Sequence, residues 1–176
     1  MKILVTGGCG FIGSNFILQQ CSISDNQILN IDKLTYSGNI RNLSSLYDNE
    51  NYKFIEKDIC DKNSIIDIIN EFAPDWIVHF AAETHVDRSI DKPKEFINTN
   101  IFGTAILLDA AMSYWISNNN SEFKFLHIST DEVFGSLKKH GRFNEKSAYK
   151  PNSPYSASKA SSDHLVRAWN RTYGFP

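Results

Sequence analysis

The sequence contains no apolar run near the roughly 18 residues that a membrane-spanning helix requires, and Lys2 leads into a glycine turn instead of the apolar core of a signal peptide. Neither a membrane span nor a secretory leader is expected, and the reading is a cytoplasmic protein. A charge excess is also missing. Eighteen Lys plus Arg face 20 Asp plus Glu without a long basic run, so nothing here attracts nucleic acid. The basic cluster Lys138, Lys139 and His140 reads as a solvated loop. The three cysteines, Cys9, Cys21 and Cys60, are odd in number and lack metal-ligand spacing. That argues against a disulfide framework and gives no metal site. No segment is repetitive enough to be a linker. At 176 residues the chain fits one domain able to bury a substantial core.

What is present concentrates first at the start, MKILVTGGCGFIGS. Lys2 to Thr6 is a β-branched apolar run of the kind that forms a buried parallel strand, and it breaks into Gly7, Gly10 and Gly13. Apolar residues return in Asn15 to Gln20, so the turn opens a helix. A helix start carries partial positive charge and unpaired N–H donors, and glycine admits a ligand close to the backbone, which suits a pyrophosphate. Three glycines alone are a weak signal. The strand before them and Asp32, at the end of the next apolar run Ile28 to Ile31, make a dinucleotide site the expectation. Asp32 is placed to accept hydrogen bonds from ribose hydroxyls and to repel a 2′-phosphate, which favours NAD over NADP. Lys33 weakens that preference slightly. Cys9 reads as a small residue tolerated in a tight turn.

Farther along, strands are expected at Gln27 to Ile31, Tyr52 to Lys57, Trp76 to Ala82 and Phe123 to Ile128. Asp61 caps a helix whose Ile65, Ile66, Ile68, Ile69 and Phe72 recur with helical spacing before Pro74. Pro93 starts or interrupts a helical region running through Phe102, Ile106, Leu107, Ala110 and Tyr114. Residues 135 to 154 read as a long loop. A last helix, Tyr155 to Tyr173, carries Ala157, Ala160, Leu165, Ala168 and Trp169. Alternating strands and helices predict an α/β fold, a Rossmann-type doubly wound parallel sheet. The chain then reaches Gly174, Phe175 and Pro176 where another strand is due, so the expectation is a piece of a longer protein: one NAD-binding domain, 1–176, that carries the catalytic residues, with the C-terminal substrate domain absent.

Two groups of residues can carry chemistry. Ser129, Thr130, Asp131 and Glu132 set two carboxylates beside hydroxyls after the fifth strand. Such a pair can divide into an acid and a base, or can simply cap a following turn. Tyr155 and Lys159 stand one helical turn apart and share a face, where an ammonium favours the phenolate, although a solvated helix face explains them equally well.

The glycine loop TGGCGFIG, IDKLTYSGN from Ile31, AAETHVDRSI from Ala81, STDEVFG from Ser129 and PYSASKASSDHLVRAW from Pro154 together resemble the dTDP-glucose 4,6-dehydratase family, extended members of the short-chain dehydrogenase/reductase superfamily. The resemblance spans nearly the whole chain, and the adjacent Asp131 and Glu132 distinguish it from the epimerases of the superfamily. It implies NAD as cofactor and dTDP-glucose as substrate. By the same resemblance, Tyr155 would take the 4-hydroxyl proton, Lys159 would hold the ribose and lower the tyrosine pKa, Glu132 would remove the C5 proton and Asp131 would protonate the departing 6-hydroxyl. Thr130 would hydrogen-bond near O4 and Thr84 would shape the same pocket. Cofactor contacts are implied for Gly7, Gly10, Phe11, Ile12, Gly13, Asp32, Lys33, Leu34, Thr35, Asp58, Ile59, Phe80, Ala81, Ala82 and Thr99, with Tyr155 and Lys159. Cys9, Thr84 and Phe134 depart from the family's usual alanine, serine and tyrosine. A homodimer is expected through the helices around 100–116 and 155–173. The alternatives are a UDP-glucose 4,6-dehydratase, a nucleotide-sugar epimerase or, for these residues alone, a non-catalytic NAD-binding module.

Overall fold

Five short apolar runs become five parallel strands: β1 (Lys2–Thr6), β2 (Gln27–Asp32), β3 (Tyr52–Glu56), β4 (Trp76–His79) and β5 (Lys124–His127). The computed structural model describes residues 1–137 and 139–176; Lys138 of the expected solvated loop lies outside the described residues. The strand order is β3-β2-β1-β4-β5. Thr6, at the end of β1, is in register with Ile31 on one side and His79 on the other. The order therefore reverses beside β1, the topological switch point at which open α/β sheets leave a crevice. The Rossmann-type fold is as expected.

By contacts the chain forms two compact units, Met1–Ala81 with Ile106–Ile128 and Pro176, and Ala82–Ala105 with Ser129–Phe175. In the first unit, side chains alternate across the sheet. Ile3 and Val5 join Ile17 of helix α1 (Phe11–Ile23), Ile28 and Val78 in one buried cluster. Each such side chain contributes about 1.5–3 kcal/mol by leaving water. Helix α2 (Lys62–Phe72) buries Ile65 and Ile69. Asp61 caps it as expected, accepting from Ser64 N–H at 3.3 Å, and Ala73 ends it in the left-handed conformation before Pro74.

Helix α1 starts at Phe11, directly on the glycine turn, as expected. A strand boundary moves: β4 stops at His79 and does not run to Ala82. Phe80 still donates to the Thr6 carbonyl, but Ala81 N–H turns to the Thr6 hydroxyl at 3.3 Å, which ends the ladder.

The second unit contains α3 (Val86–Asp91), α4 (Pro93–Phe96) with proline at its first position, and a run of wide π-helical turns, Ile97–Gly103. Helix α5 (Thr104–Asn118) begins here and continues into the first unit. Helix α6 (Pro154–Tyr173) is started by a capping box: Ser153 Oγ accepts from Ser156 N–H at 3.0 Å, and Ser156 Oγ accepts from Ser153 N–H at 2.9 Å. Its buried face is Tyr155, Ser156, Ser158, Lys159, Ala160 and Ser162. Of the apolar residues that defined the helix in the sequence, only Ala160 is on that face. Small residues there permit close approach, and the Asn100 amide uses it. Its Nδ2 donates to Ser158 Oγ at 2.8 Å and to the Glu83 carbonyl at 3.0 Å, while its Oδ1 accepts from Glu83 N–H at 2.8 Å.

Candidate active site

The site in the first unit is built mainly from backbone. Gly7 has φ +72°, and a Cβ there would lie 2.5 Å from the Ala81 nitrogen, so no other residue fits. A Cβ on Gly13 would strike the Gly7 carbonyl. Gly10 differs: its Cβ would meet only the Gly7 oxygen at 3.4 Å and the Ser37 oxygen at 4.0 Å. Protein packing does not demand glycine at this position, and the open space lies over the start of α1. Gly10 is the N-cap of that helix, without a side-chain cap and without an acidic residue in the first turn. Phe11 and Ile12 beside it are 83% and 61% exposed. Uncapped donors, the helix field and room for close approach together fit a pyrophosphate.

Asp32 is buried, and each carboxylate oxygen has a partner. Oδ2 accepts from Cys9 N–H and Oδ1 from Leu34 N–H, both at 2.9 Å. The first bond ties it to the glycine loop; the second holds Leu34 at φ +53°, a conformation a branched side chain seldom adopts. Lys33 pairs with Asp58 at 3.5 Å on a part-exposed surface, a contact of small energetic weight. Asp58 also accepts from Cys60 N–H at 2.9 Å, and Ile59 between them is buried. Phe80 packs on Phe16 with centroids 5.4 Å apart. Thr35 closes a small turn, its carbonyl accepting from Gly38 N–H at 3.0 Å. Burial pushes the Cys9 thiol up to about 11, with the Asp32 charge adding to the shift and Asn30 opposing it. Cys9 is a packing residue with negligible thiolate at neutral pH.

Sequence reasoning missed Asn30. Fully buried in β2, it accepts from Gly8 N–H at 3.1 Å and donates to Cys9 Sγ at 3.4 Å and Tyr52 Oη at 3.1 Å. Its signal was a polar amide inside the apolar run ILNID.

The second unit presents side chains. After β5, Thr130 caps a single 3₁₀ turn, Asp131–Phe134, accepting from Glu132 N–H at 3.3 Å. Capping, left open above for the carboxylates, is thus done by the threonine. Asp131 is exposed, Glu132 half-buried and Val133 buried. The phenol of Tyr155 has Thr130 beside it and Glu132 and Asp131 as charged neighbours. Tyr155 also meets Phe96 edge-on at 6.3 Å. Lys159, one turn farther along α6, is 4% exposed. The structure therefore brings together Thr130, Asp131, Glu132 and Tyr155, with Lys159 on the same helix. Thr99 is buried in the π-helical run, Ala82 is half-buried and Thr84 is exposed.

One electrostatic expectation is corrected. Tyr155 is not lowered toward phenolate but raised, first by burial and then by the charges of Glu132, Asp131 and Asp163, with Thr130 opposing. Burial also pulls Lys159 down to about 8, and Asp163 resists that shift. Desolvation is the largest cause for both groups.

The chain matches the family described as GDP-mannose 4,6 dehydratase over residues 4–176. It is 52% identical to a dTDP-glucose 4,6-dehydratase of Escherichia coli, with all of this chain and 52% of that protein covered. To the enzyme of the same name from Neisseria meningitidis it is 52% identical, over 99% of this chain and 50% of the relative. Among solved structures, the dTDP-glucose 4,6-dehydratase DesIV of Streptomyces venezuelae, with NAD bound, superposes with a TM-score of 0.91 at 42% identity, covering 99% of this chain and 53% of DesIV. A UDP-glucose 4-epimerase of Thermotoga maritima superposes with a TM-score of 0.86 at 31% identity, covering 99% and 53%. The chain spans about half the length of the curated relatives it matches.

Proposed function

Because the chain belongs to the GDP-mannose 4,6 dehydratase family, we propose that the whole protein dehydrates dTDP-glucose to its 4-keto-6-deoxy product, with NAD as a cofactor that is restored in each cycle. The observation that carries this reading is the phenol of Tyr155 beside Thr130, with two adjacent carboxylates, Asp131 and Glu132, as its charged neighbours. An epimerisation needs no such acid–base pair; an elimination of water needs both members.

In the first unit, Gly10 and the opening turn of α1 receive the pyrophosphate, and Asp32 accepts the ribose hydroxyls. NAD held there would supply a reversible hydride acceptor, which makes the net reaction loss of water. The chain's own residues manage the protons. Tyr155 removes the proton of the sugar 4-hydroxyl, and Lys159 binds the nicotinamide ribose and compensates the phenolate charge. A 4-keto group acidifies C5–H, which Glu132 removes while Asp131 protonates the 6-hydroxyl as it leaves as water. Thr130 orients the sugar near O4, and Thr84 lines the same pocket.

The protein is proposed to be cytoplasmic; among the described residues no helix is long and apolar enough to cross a membrane. A homodimer through the helices around 100–116 and 155–173 is supported by Phe102 and Ile116, 59% and 63% exposed on the first of them. The test of function is incubation of the whole protein with dTDP-glucose and NAD in deuterated water, followed by mass spectrometry. A product that has lost water and carries deuterium at C5 is expected. An intact hexose epimerised at C4 would replace this reading with the epimerase one.

A further inference from the structure

We propose that Asp163 is a positioning residue of this site, whose carboxylate ties both ends of the Thr130–Phe134 turn to α6 and so fixes Asp131 and Glu132 relative to Tyr155. The inference rests on the function proposed above. Asp163 lies on α6 one turn beyond Lys159. Its Oδ2 accepts two hydroxyl protons, from Ser129 Oγ at 2.5 Å and from Tyr149 Oη at 2.8 Å. Such short O–H···O⁻ contacts are the charge-assisted kind, about twice as strong as neutral ones. Ser129 immediately precedes the capping Thr130 and therefore governs how the chain enters the turn.

Tyr149 acts on the exit. Its ring meets Phe134 of the turn edge-on at 5.3 Å and His164 of α6 at 5.0 Å. The next residue, Lys150, donates its N–H to the Val133 carbonyl at 2.9 Å, and its own carbonyl would lie 2.5 Å from a Cβ on Gly135, which closes the turn at φ +98°. A single 3₁₀ turn has little stiffness of its own. Here one carboxylate anchors it before Thr130 and, through Tyr149 and Lys150, after Val133. The charged and titratable neighbours of this anchor are Lys159, Tyr155, His164 and Arg167 on α6 and Tyr149 on the loop, and Asp163 favours the protonated forms of Lys159, Tyr155 and Tyr149.

Displacing a catalytic group by about 1 Å can cost about 10²-fold in rate. Asp163→Ala should accordingly lower kcat of the whole protein about 10²-fold with KM for dTDP-glucose nearly unchanged. Asp163→Asn, whose amide oxygen can accept the same two hydroxyls, should recover about tenfold of that loss. Ser129→Ala should lower kcat about tenfold in the wild type and have no further effect on Asp163→Ala beyond twofold. In thermal unfolding, Ser129→Ala should lower Tm by about 2–4 °C in the wild type and by less than half as much in Asp163→Ala. Additive Tm shifts overturn the anchor, whatever the activity. Non-additive shifts with kcat unchanged in every variant overturn the positioning role. A wild type that binds NAD but does not turn over dTDP-glucose refutes the proposed function, and with it the positioning role; the unfolding cycle then still decides whether the anchor exists.

Discussion

The two units of this chain each present candidate functional groups, and they do so by different means. The glycine loop of the first unit uses backbone N–H groups, the absence of Cβ atoms and one buried carboxylate that accepts from Cys9 and Leu34. The second unit uses side chains: Thr130, Asp131 and Glu132 on a short turn, and Tyr155 and Lys159 on a helix with a largely polar buried face. A backbone site is specified by shape, so it tolerates changes of chemistry and fails on added volume. A side-chain site is specified by functional groups, so it should tolerate isosteric changes structurally and lose chemistry when one atom is removed.

The largest expected effect tests the second half of that contrast. Tyr155→Phe deletes one hydroxyl, the one beside Thr130, Glu132 and Asp131. It should lower kcat about 10³–10⁴-fold, at the upper end for loss of a proton-transfer group, while circular dichroism and the thermal midpoint stay near wild type. A residual rate within tenfold of wild type would break the assignment of Tyr155. The counterpart in the first unit is Gly13→Ala, whose new Cβ strikes the Gly7 carbonyl. It should destabilise the protein by about 1–3 kcal/mol, as overpacking does. Urea unfolding checks it, and a neutral result would mean that the loop backbone yields.

How far each half could be read from sequence follows from the same difference. Strand β1, the glycines and Asp32 lie close together in the chain, and their periodicity and spacing are local, so strands and turn were legible. Thr130 to Glu132 and the Tyr155–Lys159 pair were legible as residue types. What escaped depends on hydrogen bonds between distant segments: Asn30 to Gly8, Asn100 to Glu83 and Ser158, and Asp163 to Ser129 and Tyr149. The π-helical run has no hydrophobic period of its own, so it was hidden inside an expected helix. Burial of α6 along its serine face was hidden because apolar periodicity pointed to Leu165, Ala168 and Trp169.

Burial of Lys159 gives a smaller effect. Its pKa falls from 10.5 to about 8, so between those values the unfolded chain binds more protons than the folded one, and stability rises with pH. Cys9 and Cys60, raised from 9.0 to about 11, work in the opposite direction above pH 9. The clean window is therefore pH 8 to 9. Relative to Lys159→Met, the wild type should gain about 1 kcal/mol across it in urea unfolding, given about 1.4 kcal/mol per pKa unit. A constant or shrinking difference would show that Lys159 is not held in a desolvated site.

The smallest structural effect belongs to Gly10→Ala, where the new methyl meets open space. Stability should change by less than about 1 kcal/mol, the range of N-cap substitutions. Affinity for NAD, read by calorimetric titration, should nevertheless fall at least about tenfold, equivalent to about 1.4 kcal/mol. Equal affinities would mean that the pyrophosphate does not approach this position.

The adjacent carboxylates Asp131 and Glu132 divide the proton transfers of the elimination between them, and that division can be tested directly. The deciding measurement is deuterium incorporation at C5 of the sugar recovered from the whole protein, NAD and dTDP-glucose in deuterated water, for Asp131→Asn beside Glu132→Gln. With Glu132 as the base and Asp131 as the acid, Asp131→Asn should exchange C5–H for deuterium without losing water, and Glu132→Gln should do neither. Deuterium appearing at C5 in Glu132→Gln at the wild-type rate would contradict it.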